Sequence, residues 1–249
     1  MPDHTKRATE LQRNWDGDPY TPEPLSHPHA LTQDMPTTTT TLRSTPSEEE
    51  LFARSWQRAW AALGLQAPQG LFQRVRDAWA EPQRRYHTTQ HLHECLALLE
   101  PALDLAVRPG EVELALWFHD AVYEPQGKDN EARSANWACE ALTQAGAGEA
   151  VQQRVRALIM ATCHDAEPSD PDARLLVDID LAILGADPTR FAEYDAQVRD
   201  EYRWVPGWMY RRKRKEVLAG FLARPTIYGT ERFRERFEGR ARENLRGSG

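Results

Sequence analysis

Apolar residues recur at helical spacing through almost the whole chain after residue 46, and this periodicity restricts the fold more than any other feature. Phe52, Trp56 and Trp60 share one helical face, and the same three-to-four-residue spacing returns in later segments. Ser47 and Glu50 form a capping-box pattern just ahead of the first run. No segment sustains strand-like alternation, and no repeat of fixed period stands out. The sequence therefore predicts an all-α fold.

The predicted helices make up one domain over residues 47–246. They lie within residues 47–64, 71–79, 88–99, 109–120, 130–146, 151–162, 175–185, 188–203, 208–223 and 230–245. The run Leu175–Leu184 is apolar enough for a buried strand. Its position between helical segments favours a buried helix instead.

Residues 1–46 have a different composition. They are rich in Pro, Thr, Asp and His, and their apolar residues show no sustained period. Such a segment cannot bury enough apolar surface to offset its ordering entropy. We expect a disordered tail here.

Bulk charge and composition exclude several classes of protein. The net charge is −7, which argues against extended DNA or RNA as a partner, because that binding needs a basic surface. No apolar run reaches the ~18–20 residues of a membrane helix, and the N-terminus lacks a secretory pattern. The three cysteines (Cys95, Cys139 and Cys163) are far apart in apolar contexts, typical of buried thiols in a reducing compartment. We expect a cytoplasmic protein.

His119 and Asp120 follow the apolar run LALWF and emerge at the end of a buried helix. Imidazole and carboxylate together suit divalent Mn, Fe, Co, Ni or Zn, and Mg is a further option. An H-D dipeptide alone is weak, and it occurs again at His164-Asp165.

The segment Tyr86–His91 reads Y-H-T-T-Q-H. His87 and His91 are four residues apart, so they share a face if the segment is helical. Both could bind one metal, or one could bind it while the other points at a substrate. A helix cap with two exposed histidines is the structural alternative.

The segment Asp178–Gly185 reads D-I-D-L-A-I-L-G. A carboxylate in an apolar helix needs a cation or strong donors. Because residues two apart point to different sides of a helix, one of Asp178 and Asp180 is predicted to be a ligand and the other a cap or surface group. A solvated first turn would explain both equally well.

The order H…HD…D, with each part in its own helix, resembles the HD superfamily of metal-dependent phosphohydrolases. The segments RRYHTTQHL, LALWFHDAVYEPQGKDNEARSA, IMATCHD and DIDLAILG are similar to a bacterial subgroup known only as predicted HD-type phosphohydrolases. The resemblance covers about residues 50–246. It implies that His91, His119, Asp120 and Asp180 are metal ligands.

The Y-H-x-x-x-H-L pattern also resembles the Y-H-N-x-x-H-A motif of cyclic nucleotide phosphodiesterases. There the second histidine binds metal and the first donates a proton to the leaving oxygen. The resemblance implies that His91 is the ligand and His87 the general acid. Thr88 replaces the asparagine of that motif, which loosens the analogy.

Five further residues are candidates by position. Glu131 could orient a metal-bound water, or it could simply lie at the positive end of a helix that Asn130 caps. His164 is a candidate for a second metal or a phosphate pocket, or a helix-terminal histidine with no catalytic role. Lys128, Arg211 and Arg214 are candidate phosphate contacts, although a solvated basic face is the default for residues 210–215.

The chain is therefore expected to hydrolyse a small phosphorylated substrate, a nucleotide phosphomonoester or phosphodiester, with metal-activated water. A di-iron oxygenase on the same scaffold is the enzymatic alternative, and it would need ligands beyond the four. A non-catalytic nucleotide-sensing protein is the other alternative.

Overall fold

The structure, a computed structural model, describes residues 47–248 and contains no β-strand within that range. The helices, in chain order, are α1 (Glu48–Ala62), α2 (Leu71–Trp79), α3 (Thr89–Leu99), α4 (Pro109–Phe118), α5 (Asn130–Gln144), α6 (Glu149–Met160), α7 (Pro171–Asp180), α8 (Pro188–Glu201), α9 (Gly207–Leu222), α10 (Glu231–Phe233) and α11 (Gly239–Gly247). The all-α prediction is confirmed. The predicted disordered tail, residues 1–46, lies outside the described residues.

Short 3₁₀ and π turns extend several of these helices. The 3₁₀ turns are Glu100–Leu105, Ala161–Cys163 and Leu181–Gly185, and a π turn, Arg234–Glu238, joins α10 to α11. The Leu175–Leu184 run falls in α7 and the 3₁₀ turn that continues it, so the helical interpretation is confirmed over the strand.

Helix α4 is the centre of the fold. Every residue from Gly110 to Phe118 is buried, and α1, α3, α5, α6 and α7 pack around it. Its two glutamates are partnered, as buried carboxylates must be. Glu113 accepts from Ser55 at 2.6 Å, and Glu111 pairs with Arg154 at 2.6 Å. The end of α4 is therefore a rigid point deep inside the domain.

Local capping agrees with the sequence at one helix start and disagrees at another. Ser47 and Glu50 form the predicted capping box of α1. Asn130 does not cap α5; its side chain instead bonds to the backbone N–H and C=O of Glu124, at 3.1 and 2.9 Å. Asn130 thus closes the loop that follows the H-D pair.

The C-terminal segment covers the end of α7. A Cβ at Gly185 would lie 2.7 Å from the backbone oxygen of Phe237, so the absence of a side chain permits this close approach. Helix α9 is attached more loosely, since of its sixteen residues Tyr210 and Leu218 alone are buried.

Candidate metal centre

Three helices distant in sequence bring four predicted ligands together. His91 lies in the first turn of α3, His119 and Asp120 directly follow α4, and Asp180 ends α7. The histidine side chains are 1–2% exposed and the aspartate side chains 13–14%. The cluster is nearly closed to solvent.

The donor atoms of these residues lie close to one another. His91 Nε2 is 3.2 Å from both His119 Nε2 and Asp180 Oδ1. His119 Nε2 is 3.2 Å from Asp120 Oδ2 and 3.6 Å from Asp180 Oδ1. Asp120 Oδ2 is 4.0 Å from His91 Nε2.

Both imidazoles present the same nitrogen to the cluster. His119 Nδ1 donates to the backbone oxygen of Leu116 at 2.8 Å, which leaves Nε2 as the nitrogen that faces the other donors. His91 Nδ1 is 3.0 Å from the hydroxyl of Tyr86. Metal-binding histidines are commonly held in this way by a partner on the far nitrogen.

The electrostatics of the cluster favour a cation. Burial raises the pKa of Asp120 and Asp180, but the neighbouring histidines outweigh it, so both pKa values fall below the ordinary range. Burial lowers the pKa of His119, but Asp120 and Asp180 outweigh it and raise the pKa well above its ordinary value. The two carboxylates therefore stay ionised and demand positive charge, which protons or a metal ion can supply.

Cys95 joins the cluster one turn after His91 on α3. Its Sγ is 3.8 Å from both ring nitrogens of His91, and one donor atom from each of Cys95, His91, His119 and Asp180 lies within 4.8 Å of all the others. Burial, followed by the charge of Asp180, raises the pKa of the Cys95 thiol well above its ordinary value. The apolar context of Cys95 predicts a core residue, although its i, i+4 spacing from His91 could have placed it here.

These residues fit a divalent metal ion. Two ligand atoms about 2.1 Å from one ion are about 3.0 Å apart at a right angle and about 3.4 Å apart in a tetrahedron. The separations of 3.2–3.6 Å among His91, His119 and Asp180 are close to such spacing, and Cys95 completes the group of four mutually close donors. Asp120 is 3.2 Å from His119 and 4.0 Å from His91. The buried cluster could therefore hold a metal ion, and nitrogen, oxygen and sulfur donors together suit the borderline transition metals.

His87 lies beside the cluster and does not join it. Its Nε2 is 4.0 Å from Asp120 Oδ2, and its Nδ1 is 2.8 Å from Glu201 Oε2. The ring stacks on Tyr123 with centroids 4.1 Å apart. Burial lowers the pKa of His87, but Glu201 and Asp120 together raise it above the ordinary value. His87 therefore lies next to the cluster with its Nε2 atom toward Asp120.

His164 contacts the cluster directly, and Glu131 is close enough to be influenced by its charges. His164 Nε2 is 3.0 Å from Asp180 Oδ2, the oxygen other than the one nearest His91 and His119. Burial, followed by the charge of Asp120, raises the pKa of Glu131. Both side chains border the cluster, so their predicted roles stay open.

The three predicted phosphate contacts lie apart from the cluster. Lys128 and Arg211 are exposed, and neither makes an ion pair with another residue in the range 47–248. Arg214 pairs with Asp195 at 2.9 Å and stacks on Tyr194. These assignments stay predictions, and the present contacts of Arg214 are with α8.

Asp178 has a structural task. It accepts from the backbone N–H of Gly229 at 2.6 Å and from the N–H and hydroxyl of Thr230 at 2.7 and 2.6 Å. The residues alone did not show which of Asp178 and Asp180 is the ligand, and the family resemblance implied Asp180. In the structure Asp180 faces the histidines, and Asp178 bonds to the residues before α10.

Arg84 connects the Tyr86–His91 segment with the His119-Asp120 pair. Its fully buried side chain donates to the backbone oxygens of His87, Asp120 and Ala121 at 2.7–3.1 Å. One guanidinium thus holds the Tyr86–His91 segment against the H-D pair. Arg84 cannot be recognised from the sequence, because nothing local distinguishes it from the neighbouring Arg85.

Compared with known protein families, with curated proteins and with solved structures, the chain gives no match. In the part of the chain that the structure describes, no helix has both the length and the apolar content needed to cross a membrane.

Proposed function

We propose that the chain is a metal-dependent hydrolase of phosphate esters of the HD type, acting in the cytoplasm on a small substrate such as a nucleotide. The convergence of His91, His119, Asp120 and Asp180 is the observation that carries this proposal. These residues occur in the order H…HD…D, and their donors meet in one buried cluster.

A divalent ion held by these four residues, with Cys95 as a neighbouring donor, would lower the pKa of water and polarise a phosphoryl oxygen. The donor set allows Mn, Fe, Co, Ni or Zn, and also Mg. His91 and His119 hold their Nε2 atoms ready through the bonds of their Nδ1 atoms to Tyr86 and Leu116, so little rearrangement is needed for binding.

His87 and Glu131 divide the proton transfers in this proposal. Water adds to phosphorus and gives a proton to the Glu131 carboxylate, whose raised pKa makes it a better base than an ordinary glutamate. As the P–O bond to the leaving group breaks, His87 Nε2 gives its proton to the departing oxygen. His87 Nε2 is 4.0 Å from Asp120 Oδ2, so the leaving group would lie on the side of the cluster that faces His87.

The contact of His164 with Asp180 supports an alternative with two ions. Asp180 directs one oxygen to His91 and His119 and the other to His164, as a bridging carboxylate would. A di-iron oxygenase would use such a site. Iron content and metal stoichiometry distinguish that alternative from a hydrolase with one ion. A protein that binds metal and nucleotide but hydrolyses no ester would support the non-catalytic nucleotide-sensing alternative.

The test begins with metal analysis of protein purified without a nickel column, followed by assays with p-nitrophenyl phosphate, bis(p-nitrophenyl) phosphate and nucleotides. His91→Ala should lower metal occupancy. His87→Ala should keep the metal and lose about 10²–10⁴-fold in turnover, the usual contribution of a positioned proton donor.

His93→Ala is the matched control, because His93 lies on α3 and contacts Phe52 and not the cluster. It should change neither metal occupancy nor turnover. Equal metal loss in the His87 and His91 variants would show that both bind the ion and would remove the general acid. Failure of the metal-loaded protein to hydrolyse any ester would contradict the proposed function.

A further inference from the structure

Glu201, the last residue of α8, is a fully buried carboxylate with five hydrogen-bond donors. Its Oε1 accepts from the backbone N–H groups of Arg85, Tyr86 and His87 at 2.9–3.1 Å. Its Oε2 lies 2.8 Å from His87 Nδ1 and accepts from the Tyr123 hydroxyl at 2.9 Å. The two oxygens therefore have separate tasks, one toward the backbone and one toward the ring.

The charge of Glu201 is met by His87. Within residues 47–248, His87 is the one basic side chain within ion-pair distance of this carboxylate, because the side chain of Arg85 turns to Asp200. An ionised carboxylate accepts hydrogen bonds and cannot donate them. The Nδ1 atom of His87 must then carry a proton, which leaves Nε2 to face Asp120 at 4.0 Å.

The ring has little freedom to turn. Tyr123 stacks on one face of the His87 imidazole with an interplanar angle of 26°, and the same Tyr123 is bonded through its hydroxyl to Glu201. Tyr86 meets the ring edge-on at 4.9 Å. Carboxylate and aromatic rings together select one orientation.

From this geometry we infer that Glu201 is a positioning residue, which fixes His87 with Nδ1 protonated and Nε2 directed at the metal cluster. The consequence for catalysis rests on the proposed function. In hydrolysis, the proton on Nε2 passes to the ester oxygen as the P–O bond breaks, and the imidazole is left neutral with its Nδ1–H still on Glu201. Tyr123 supports the same arrangement from the ring face and from Oε2.

Glu201→Gln separates this role from a purely structural one. The amide keeps one oxygen, and the three backbone N–H groups on the Oε1 side outnumber the two donors on the other side. The NH₂ group would then face His87 Nδ1, so a neutral ring must move its proton to Nε2. The backbone anchor survives, while the tautomer of His87 is reversed.

The first measurement needs no turnover. In zinc-loaded, ¹⁵N-histidine-labelled protein, the ¹H–¹⁵N correlations of His87, assigned by their loss in His87→Gln, should show a proton on Nδ1. In Glu201→Gln the neutral ring should carry its proton on Nε2. An unprotonated Nδ1 in the wild-type protein would overturn the inference. This measurement on the wild type is decisive even if Glu201→Gln does not fold.

The second measurement is kinetic. Glu201→Gln should bind metal normally and lose on the order of 10–100-fold in turnover of phenyl phosphate. The loss should be smaller for p-nitrophenyl phosphate, whose leaving group needs less help from a proton. Glu193→Gln, the same change at a half-exposed position on α8, is the control and should change neither rate.

The two proposals fail in different ways. If the wild-type protein hydrolyses neither ester, the proposed function fails, and the proton position on His87 still decides the role of Glu201. If Glu201→Gln keeps Nδ1 protonated and both rates unchanged, Glu201 only holds the backbone of residues 85–87, and the inference is overturned.

Discussion

The two sides of α7 each carry a carboxylate, and the two carboxylates have different partners. Asp178 and Asp180 are two residues apart, about 200° around the helix, so they face different parts of the molecule. Asp178 bonds to Gly229 and Thr230, and Asp180 faces His91, His119 and His164. The partners decide what each carboxylate does.

The pKa values of the two groups shift in opposite directions for this reason. Burial raises the pKa of Asp178, and its donors from Gly229 and Thr230, together with the more weakly acting Arg234, do not fully compensate. Burial acts the same way on Asp180, but His119, His164 and His91 bring its pKa well below the ordinary value. A buried carboxylate surrounded by backbone donors is a structural anchor, whereas one surrounded by imidazoles requires positive charge.

The largest effect is expected from Asp180→Ala. Loss of this carboxylate opens the cluster, so metal affinity should fall by more than about 100-fold, beyond the usual effect of an outer partner. Helicity should stay near the wild-type value, because removal of one charge also relieves repulsion with Asp120. Metal titration and circular dichroism check both parts. Wild-type metal binding in this variant would move the ligand role to Asp178 or elsewhere.

Asp178→Ala should have the reverse profile. Three donors lose their acceptor, so the free energy of unfolding should fall by about 3–5 kcal/mol, while metal stoichiometry is retained in the folded protein. Urea denaturation measures the loss. Asp178→Asn, which keeps one acceptor oxygen, should lose less. Metal loss without a loss of stability would contradict the division between the two sides of α7.

Glu201 combines the surroundings of Asp178 and Asp180, because its hydrogen-bond donors include both backbone N–H groups and an imidazole. Burial raises its pKa, but His87 and the backbone donors bring it down to about 2. A lowered pKa means that the stabilisation is complete above the unfolded-state pKa of about 4.3 and is lost as the pH falls toward 2. The shift corresponds to about 3 kcal/mol.

Urea denaturation of the wild type and Glu201→Gln at pH 6 and pH 3 checks this expectation. The stability advantage of the wild type should shrink at the lower pH. A difference that is the same at both pH values would show that the ionised form of Glu201 contributes nothing beyond its hydrogen bonds.

The smallest effect is expected from deletion of residues 1–46. Their sequence has no apolar period with which to contribute to a core, so the free energy of unfolding should change by less than about 0.5 kcal/mol. Metal affinity and turnover should also stay unchanged. A large change in any of these would mean that residues 1–46 fold onto the domain, and over the site if metal affinity or turnover is what changes.

Helical periodicity was sufficient to predict the all-α fold, because the apolar residues of α1, α2 and α6 repeat at the helical interval. The candidate metal cluster was predictable only as separate H, H-D and D segments. The i, i+4 spacing from His91 could have placed Cys95 at the site. The sequence could not place Arg84 or Glu201 there. Each acts through contacts set by tertiary packing, and Glu201 reaches its partner across 114 positions.

Asn130 shows a second limit of local reasoning. Its position before a helix favours an N-cap, yet its side chain bonds across the loop to Glu124. Cap preference is worth about 1 kcal/mol, which is small enough for a long-range or loop contact to override.

The long reach of Glu201 also bears on biosynthesis. A ribosome adds residues in order, at about 5–20 per second, so His87 waits several seconds for residue 201 to be made. Until then the Tyr86–His91 segment lacks the carboxylate that accepts its hydrogen bonds. Asp180 is itself synthesised only shortly before Glu201. If the cluster binds a metal ion as proposed, an ion that meets the nascent polypeptide before residue 201 is made would find a site whose Tyr86–His91 segment is not yet held by Glu201.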